Sequence, residues 1–164
     1  MKKNILIIIL LSTILFGCSI ANSPTSKTEE LLSNYQRLDE NIIISYTDLI
    51  TDININEDLK NNYNDLIKDQ YQNLSYEIKE EVIDGNTAVV TTSIDVLDYK
   101  KVINKYNKND YTPNKYHQLI IDDLKNTKTK VTYTIDFTLT KDNKNNWKID
   151  NLSNEQKQKL LGIY

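Results

Sequence analysis

The sequence predicts an α+β domain in which an antiparallel sheet of about four strands is covered on one face by helices. Two observations predict this class. Up to about residue 73, apolar residues recur at every third or fourth position, which is the period of a helix. Beyond that point, two segments alternate apolar with polar residues and each is followed by a turn and a second such segment. This pattern predicts two β-hairpins, with a further helix between them.

The first two helices are predicted from the helical spacing. Residues 27–51 carry one apolar stripe, although the β-branched run Ile42-Ile43-Ile44 favours a local break. A second helix is expected from Glu57 to Gln72, with the side chain of Asn56 as its cap. Its inward-facing residues are predicted to be Leu59, Tyr63, Leu66, Ile67 and Tyr71.

Two more helices are predicted from their end signals. Residues 112–126 form the first, because threonine caps a helix well and proline suits the first helical position. Ser153 and Gln156 match a capping box for a short C-terminal helix, which Gly162 closes. Residues 100–111 are rich in lysine and asparagine and predict no more than a short helical turn.

The hairpins are predicted from the alternating segments. The second hairpin joins a strand over residues 131–139 to one at 147–149 through a polar loop over 142–146. In the first of these strands apolar residues alternate with threonine and aspartate, so one face is expected in the core and the other in water. The first hairpin turns at Asp84-Gly85-Asn86, and its inward residues are expected to be Tyr76, Ile78, Val82, Ala88, Val90, Thr92, Ile94 and Val96.

The N-terminal segment has the anatomy of a signal peptide. Two lysines precede an apolar run that extends to Phe16, and the small residue Gly17 follows. The run is shorter than the roughly 20 apolar residues that a transmembrane helix needs. The sequence therefore predicts a signal peptide over residues 1–17, a flexible tether over 18–26 and a single domain over 27–164. At roughly 3.5 Å per residue, the eight residues after Cys18 would reach at most about 28 Å.

The segment Leu15-Phe16-Gly17-Cys18 resembles the lipobox of bacterial lipoproteins. In that family the cysteine thiol is joined to a diacylglycerol and the signal peptide is cut just before it. Phe16 is bulkier than the small residue usual at that place. The resemblance implies that Cys18 is lipidated and that the domain is anchored on the outer side of a bacterial membrane. The alternative is an ordinary secretory signal with an incidental cysteine, although Cys18 is the only cysteine and has no partner for a disulfide within the chain.

Composition excludes several classes of partner. Loss of residues 1–17 removes Lys2 and Lys3, so the formal net charge falls from −3 to −5. An acidic domain is a poor partner for nucleic acid or for anionic lipid. Its single arginine argues further against phosphate recognition, which favours the bidentate guanidinium group. The three glycines are too dispersed to form a phosphate-binding loop.

The order of elements resembles the cone-shaped α+β fold of nuclear-transport-factor-like domains. The residues that carry this resemblance are the hairpin around Asp84-Gly85-Asn86 and the strand Val131–Leu139 with Trp147-Lys148-Ile149. In that superfamily a curved sheet and long helices enclose a pocket. The fold hosts enzymes, ligand-binding proteins and docking modules, so the resemblance does not select an activity.

A pocket enzyme of the isomerase or dehydratase type would need an inward-facing carboxylate. Alternation places Asp95 and Asp136 on the outer face of their strands. Glu80 is in phase with Tyr76 and Ile78, which makes it the one candidate for a pocket acid with a raised pKa. The favoured interpretation is instead a bulge or an exposed strand end that turns Glu80 toward solvent.

The remaining polar candidates are weaker. His117 is the only histidine, so a metal site or a nucleophilic triad lacks its parts, and we interpret it as a surface or packing residue. Asp122-Asp123 has no surrounding ligand loop and is interpreted as a solvated face. The tyrosines in apolar phase most simply fill the core, although a tyrosine-lined pocket could bind an apolar or aromatic ligand. These tyrosines are Tyr35, Tyr46, Tyr63, Tyr76 and Tyr133.

The sequence therefore predicts a membrane-anchored module that binds a protein, a peptide or a small ligand and needs no cofactor or metal. Its alternative is a pocket enzyme that uses Glu80 as an acid or base, with Tyr76 and Tyr133 as further pocket residues. Cys18 is the residue with the most specific predicted role.

Overall fold

The computed structural model describes residues 22–52 and 54–164. The predicted signal peptide and Cys18 lie outside the described residues. Among the residues described, no helix is both long enough and apolar enough to cross a bilayer. In chain order the elements are α1 (Pro24–Arg37), a 3-10 turn (Tyr46–Asp48), α2 (Glu57–Asn73), β1 (Ser75–Asp84), β2 (Thr87–Leu97), α3 (Tyr99–Ile103), a 3-10 turn (Lys108–Asp110), α4 (Pro113–Lys125), β3 (Lys130–Lys141), β4 (Trp147–Ile149) and α5 (Asn154–Leu160).

The strands form one four-stranded antiparallel sheet in the order β1-β2-β3-β4. Each strand pairs with the next one along the chain. Short turns join β1 to β2 and β3 to β4, whereas α3 and α4 lie in the connection between the paired strands β2 and β3. Helices α1 and α2 contact β2, and α5 contacts β3. The predicted class, an antiparallel sheet of four strands covered by helices on one face, is confirmed.

Helix α2 forms as its sequence predicts. The backbone N–H of Leu59 donates to Asn56 Oδ1 at 2.9 Å, which satisfies one of the free donors at the helix start. All five residues predicted to face inward are buried. Burial of apolar surface stabilises a fold by about 25 cal/mol per Å², so this face contributes a large part of the stabilisation that the core provides.

Helix α1 is both earlier and shorter than predicted. It begins at Pro24, after Ser23 and Ser26 close a reciprocal capping box, and Pro24 is buried. It ends because Leu38 adopts a left-handed conformation with φ of 55°, which stops the helical hydrogen bonding. The prediction of one helix over residues 27–51 is therefore wrong. Residues 22–26, predicted to belong to a flexible tether, are instead part of the folded domain.

The two C-terminal helices differ in how their starts are capped. Thr112 occupies the cap position of α4 but its side chain makes no capping hydrogen bond, so that detail of the prediction is wrong. The capping box of α5 is confirmed, since the N–H of Gln156 donates to Ser153 Oγ at 3.2 Å and the N–H of Ser153 donates back to Gln156 Oε1 at 2.7 Å. Gly162 follows α5 with φ of 68°.

Candidate functional site

Glu80 lies in solvent on the face of the sheet that points away from the helices. A β-bulge shifts the β1–β2 register between Ile78 and Glu80, and Glu80 then lies opposite Thr91. Thr91 alternates with residues buried under the helices, so Glu80 shares its outward face. The favoured interpretation, in which a bulge turns Glu80 toward solvent, is confirmed. The isomerase or dehydratase alternative thereby loses the acid on which it depended.

The bulge also reverses the phase of the rest of β1. Val82 was predicted to face inward, but it lies opposite Val89 on the open face and is 53% exposed. Glu81 moves to the helix side instead. Its Oε2 accepts from the N–H of Thr25 at 2.8 Å and from the Thr25 hydroxyl at 2.7 Å. A carboxylate is favourable beside the first turn of a helix, so Glu81 stabilises the contact between the start of α1 and the edge strand β1.

The aspartates predicted to face outward do so. Asp136 Oδ1 accepts from the Thr91 hydroxyl at 2.7 Å across the β2–β3 pair. Asp95 Oδ1 accepts in the same way from the Thr132 hydroxyl at 2.6 Å. Both carboxylates are thus engaged in cross-strand hydrogen bonds on the open face.

Tyr76, Tyr133 and Glu80 do not form a common pocket. Tyr76 and Tyr133 flank Ile94 in one row of the sheet on its helix side, whereas Glu80 is on the other face. The hydroxyl of Tyr133 donates to the carbonyl of Tyr164 at 3.1 Å. The predicted pocket built from these three residues is wrong, because the bulge separates the acid from the two rings.

A hydrogen-bonded chain that the sequence did not predict runs from α2 to the loop after α1. The ring of His117 is 2% exposed, with Nδ1 2.9 Å from the Tyr63 hydroxyl and Nε2 3.4 Å from Asp52 Oδ2. The Lys108 ammonium also donates to Asp52 Oδ2, at 2.9 Å. Tyr63 is fully buried, so no substrate reaches its hydroxyl, and the chain holds residue 52 against α2 and α4.

The electrostatics of this chain follow from burial and charge. The Lys108 ammonium, the N–H of Asn54 and the His117 ring lower the pKa of Asp52 to about 2. Burial lowers the pKa of His117 against the opposing effect of Asp52, and burial raises the pKa of Tyr63. The arrangement at neutral pH is a neutral imidazole between a phenol and a carboxylate. His117 is thus a packing residue, as interpreted from the sequence.

The candidate ligand site is a groove of about 450 Å³ between α1, the loop that follows it, α2 and α5. We call it the tyrosine groove. Its size lies within the range of small-molecule sites, which span roughly 300 to 1,000 Å³. Its lining residues are Leu31, Asn34, Tyr35, Asn41, Ile42, Ile43, Ser45, Asp48, Tyr71, Lys157 and Leu161.

Two tyrosines give the groove its chemistry. The rings of Tyr35 and Tyr71 pack at a centroid distance of 4.7 Å and an angle of 49°. Burial raises the pKa of both phenols, and the charge of Asp48 raises them further. Both phenols therefore stay protonated, and among the described residues neither hydroxyl has a hydrogen-bond partner. An apolar surface with two uncommitted hydroxyls suits a small amphipathic molecule that carries a hydrogen-bonding group.

Helix α5 forms one side of the groove and is held in place by a buried amide. Gln70 is fully buried, and its Nε2 donates to the carbonyls of Leu97 and Leu161, each at 2.8 Å. Its Oε1 accepts from the N–H of Leu97 at 2.8 Å. All three hydrogen bonds are buried, so α2, β2 and the end of α5 are fixed relative to each other. The position of Leu161 in the groove depends on this junction.

The sequence predicted that Tyr35 and Tyr71 lie on the apolar faces of their helices, but it did not predict the groove between them and the loop. Its loop wall, from Asn41 to Asp48, was predicted to be helical, and that error concealed the gap between the loop and α1. The lone Gln70 carries no pattern that marks it as buried. Among the described residues, no group of three or more histidine, cysteine, aspartate or glutamate side chains is placed to hold a metal ion.

Comparisons of the chain with models of protein families, with curated proteins and with solved structures gave no match.

Proposed function

We propose that this chain is a lipid-anchored lipoprotein on the outer side of a bacterial membrane, and that its tyrosine groove binds a small amphipathic molecule. The lipid attachment rests on Leu15-Phe16-Gly17-Cys18 and the preceding apolar run. The observation that carries the binding function is the pair of phenols, the half-buried Tyr35 and the buried Tyr71, whose hydroxyls have no partners among the described residues and which line an open groove. The resemblance to nuclear-transport-factor-like domains, with which the helix-covered sheet is compatible, belongs to the same proposal.

The chemistry of the ligand follows from the groove walls. Leu31, Ile42 and Leu161 supply aliphatic surface, and the tyrosine rings add an aromatic surface against which a planar ring packs. A polar group on the ligand accepts from the phenols, which are donors as long as they remain protonated. The exposed Asp48 and Lys157 both line the groove, and their opposite charges favour a ligand with no net charge. A neutral molecule with a ring and a carbonyl group satisfies these conditions.

The anchor is tested with Cys18→Ala in cells. Without the thiol no lipid is attached, so the protein is expected to leave the membrane fraction for the soluble one. Ser19→Ala, which changes the neighbouring residue and keeps the thiol, is the matched control and is expected to remain with the membrane. A Cys18→Ala protein that sediments with membranes as completely as the parent contradicts the lipid anchor.

The groove is tested with Tyr35→Phe and Tyr71→Phe, which remove the hydroxyls and keep the rings. The probe is 4-hydroxyacetophenone, a small water-soluble ring with a carbonyl group. Its affinity for the full chain in nonionic micelles is measured by equilibrium dialysis, and micelles without protein are the blank. Each lost hydrogen bond of about 1 kcal/mol weakens binding roughly fivefold. Tyr111→Phe, at an exposed tyrosine outside the groove, is the control. Equal affinity in the parent and in the variant that lacks both hydroxyls contradicts the proposed site.

A further inference from the structure

One end of the sheet collects the start of the domain and both hairpin turns. The side chain of Asn22 accepts from the N–H of Trp147 at 3.1 Å and donates to the carbonyl of Asn145 at 3.4 Å. The N–H of Lys141 donates to the carbonyl of Asn86 at 2.9 Å, which joins the two hairpins at their turns. We call this region, comprising residues 22–25, 81–87 and 140–146, the anchor end.

The distance from the anchor end to Cys18 is short. Three residues separate Cys18 from Asn22, and at roughly 3.5 Å per residue the two α-carbons are at most about 14 Å apart. This is half of the reach that the sequence predicted, because residues 22–26 belong to the fold. A lipid on Cys18 therefore keeps the anchor end, and not the far end of the sheet, beside the membrane surface.

The anchor end carries an exposed apolar pair. Val82 and Ile83 are 53% and 52% exposed and directly follow Glu81, which holds the start of α1 through Thr25. Val82 lies opposite Val89, so its exposed surface continues onto the next strand. Ile83 lies opposite the buried Ala88, so its side chain is on the helix side of the sheet. The end of the hairpin therefore presents an exposed apolar side chain on each of its two faces, and both are covered if this end enters an apolar interface.

Lysines accompany the carboxylates of the anchor end. Glu81, Asp84 and Asp142 lie in this region together with Lys141 and Lys144. The Lys148 ammonium, just outside the region, lies 3.3 Å from Asp142 Oδ2. These lysines offset part of the repulsion between the carboxylates and anionic lipid.

We infer that the anchor end is a membrane-contacting surface, in which Val82 and Ile83 enter the interface of the bilayer that holds the lipidated Cys18. This inference rests on the proposed lipid anchor. The surface sets the orientation of the domain: α1 starts at the membrane, and the opposite end of the sheet, where β3 begins, points away from it. Contact of the apolar pair with lipid supplements the acyl chains and restricts rotation of the domain about its tether.

The inference is tested with the lipidated full chain in vesicles of phosphatidylethanolamine and phosphatidylglycerol at a ratio of 3:1. Lipidation consumes the Cys18 thiol, so Val82→Cys provides the one free thiol for a fluorescent label. Lys128→Cys, exposed at the opposite end of the sheet, is the matched control. Replacement of some lipid by lipid with a nitroxide near the headgroup is expected to lower the fluorescence of the label at position 82 about twofold or more and to leave that at position 128 unchanged.

Each outcome decides the inference. Equal quenching at the two positions, or quenching at neither while the protein floats with the vesicles, overturns the membrane contact and leaves the anchor intact. A label at position 82 that is shielded from water but not quenched by the nitroxide lipid shows that protein covers this surface, and it also overturns the inference. A chain that does not float with the vesicles refutes the lipid anchor itself, and with it this orientation.

Discussion

Replacement of Gly162 by alanine tests how the wall of the tyrosine groove is fixed. Gly162 has φ of 68°, a conformation that costs an alanine roughly 1 to 2 kcal/mol. A Cβ at this position would lie 2.0 Å from the carbonyl oxygen of Leu97 and 2.5 Å from Gln70 Nε2. The chain must shift, and it loses at least one buried hydrogen bond of Gln70, which costs a further 1 to 3 kcal/mol or so. We expect Gly162→Ala to lower the free energy of unfolding by about 3 kcal/mol.

Gly85→Ala is the matched control. Gly85 has φ of 58°, but no atom lies within 4 Å of its ideal Cβ, so this variant should lose only the roughly 1 to 2 kcal/mol of backbone strain. Chemical denaturation followed by the fluorescence of Trp147 measures both variants. A loss of 3 kcal/mol corresponds to a melting temperature lower by roughly 6 to 12 °C for a domain of this size. If the two variants lose equal stability, the close packing of Gly162 against Leu97 and Gln70 contributes nothing, and the reasoning is refuted.

Two further predictions concern buried polar groups. The hydroxyl of Thr92 is buried with no hydrogen-bond partner among the described residues. We therefore expect Thr92→Val to raise the free energy of unfolding, measured by chemical denaturation, by about 1 kcal/mol. The control Thr138→Val, on the exposed face of the sheet, should change it little. The pKa of His117 is lowered from 6.5, so the unfolded chain binds the proton first and stability should fall as the pH drops below about 6.5. It should fall again toward pH 2, where folded Asp52 becomes protonated. Melting curves between pH 7 and 4 measure the loss of stability that we attribute to His117. The prediction fails if the melting temperature of His117→Gln depends on pH in the same way as that of the parent.

Local patterns in the sequence were sufficient for most of the fold. Alternation predicted β3 and its outward Asp136, and helical spacing with a capping residue predicted α2 and its buried face. These signals are local, because the period of side chains along a strand or helix decides which of them face the core. The hairpin turn at Gly85 is local in the same sense, since a positive φ favours glycine.

The candidate site depended on contacts between distant parts of the chain. Gln70 bonds to Leu97 and Leu161, and His117 meets Asp52 across 65 positions of sequence, so no local pattern marks either residue. The left-handed conformation of Leu38 ended α1 although the apolar stripe continued, and the loop thus released became a wall of the groove.

The sequence by itself determined the class of the fold, the two hairpins and the burial of most helix faces, and the membrane address at Cys18 stays a prediction. The tertiary structure alone decided that Glu80 faces solvent, that Tyr35 and Tyr71 line a groove, and that residues 22–26 belong to the folded domain. The physical reason is the range of the interactions. Periodicity records which face of one element is buried, whereas a bulge, a groove or a capped helix end depends on which other element packs against it.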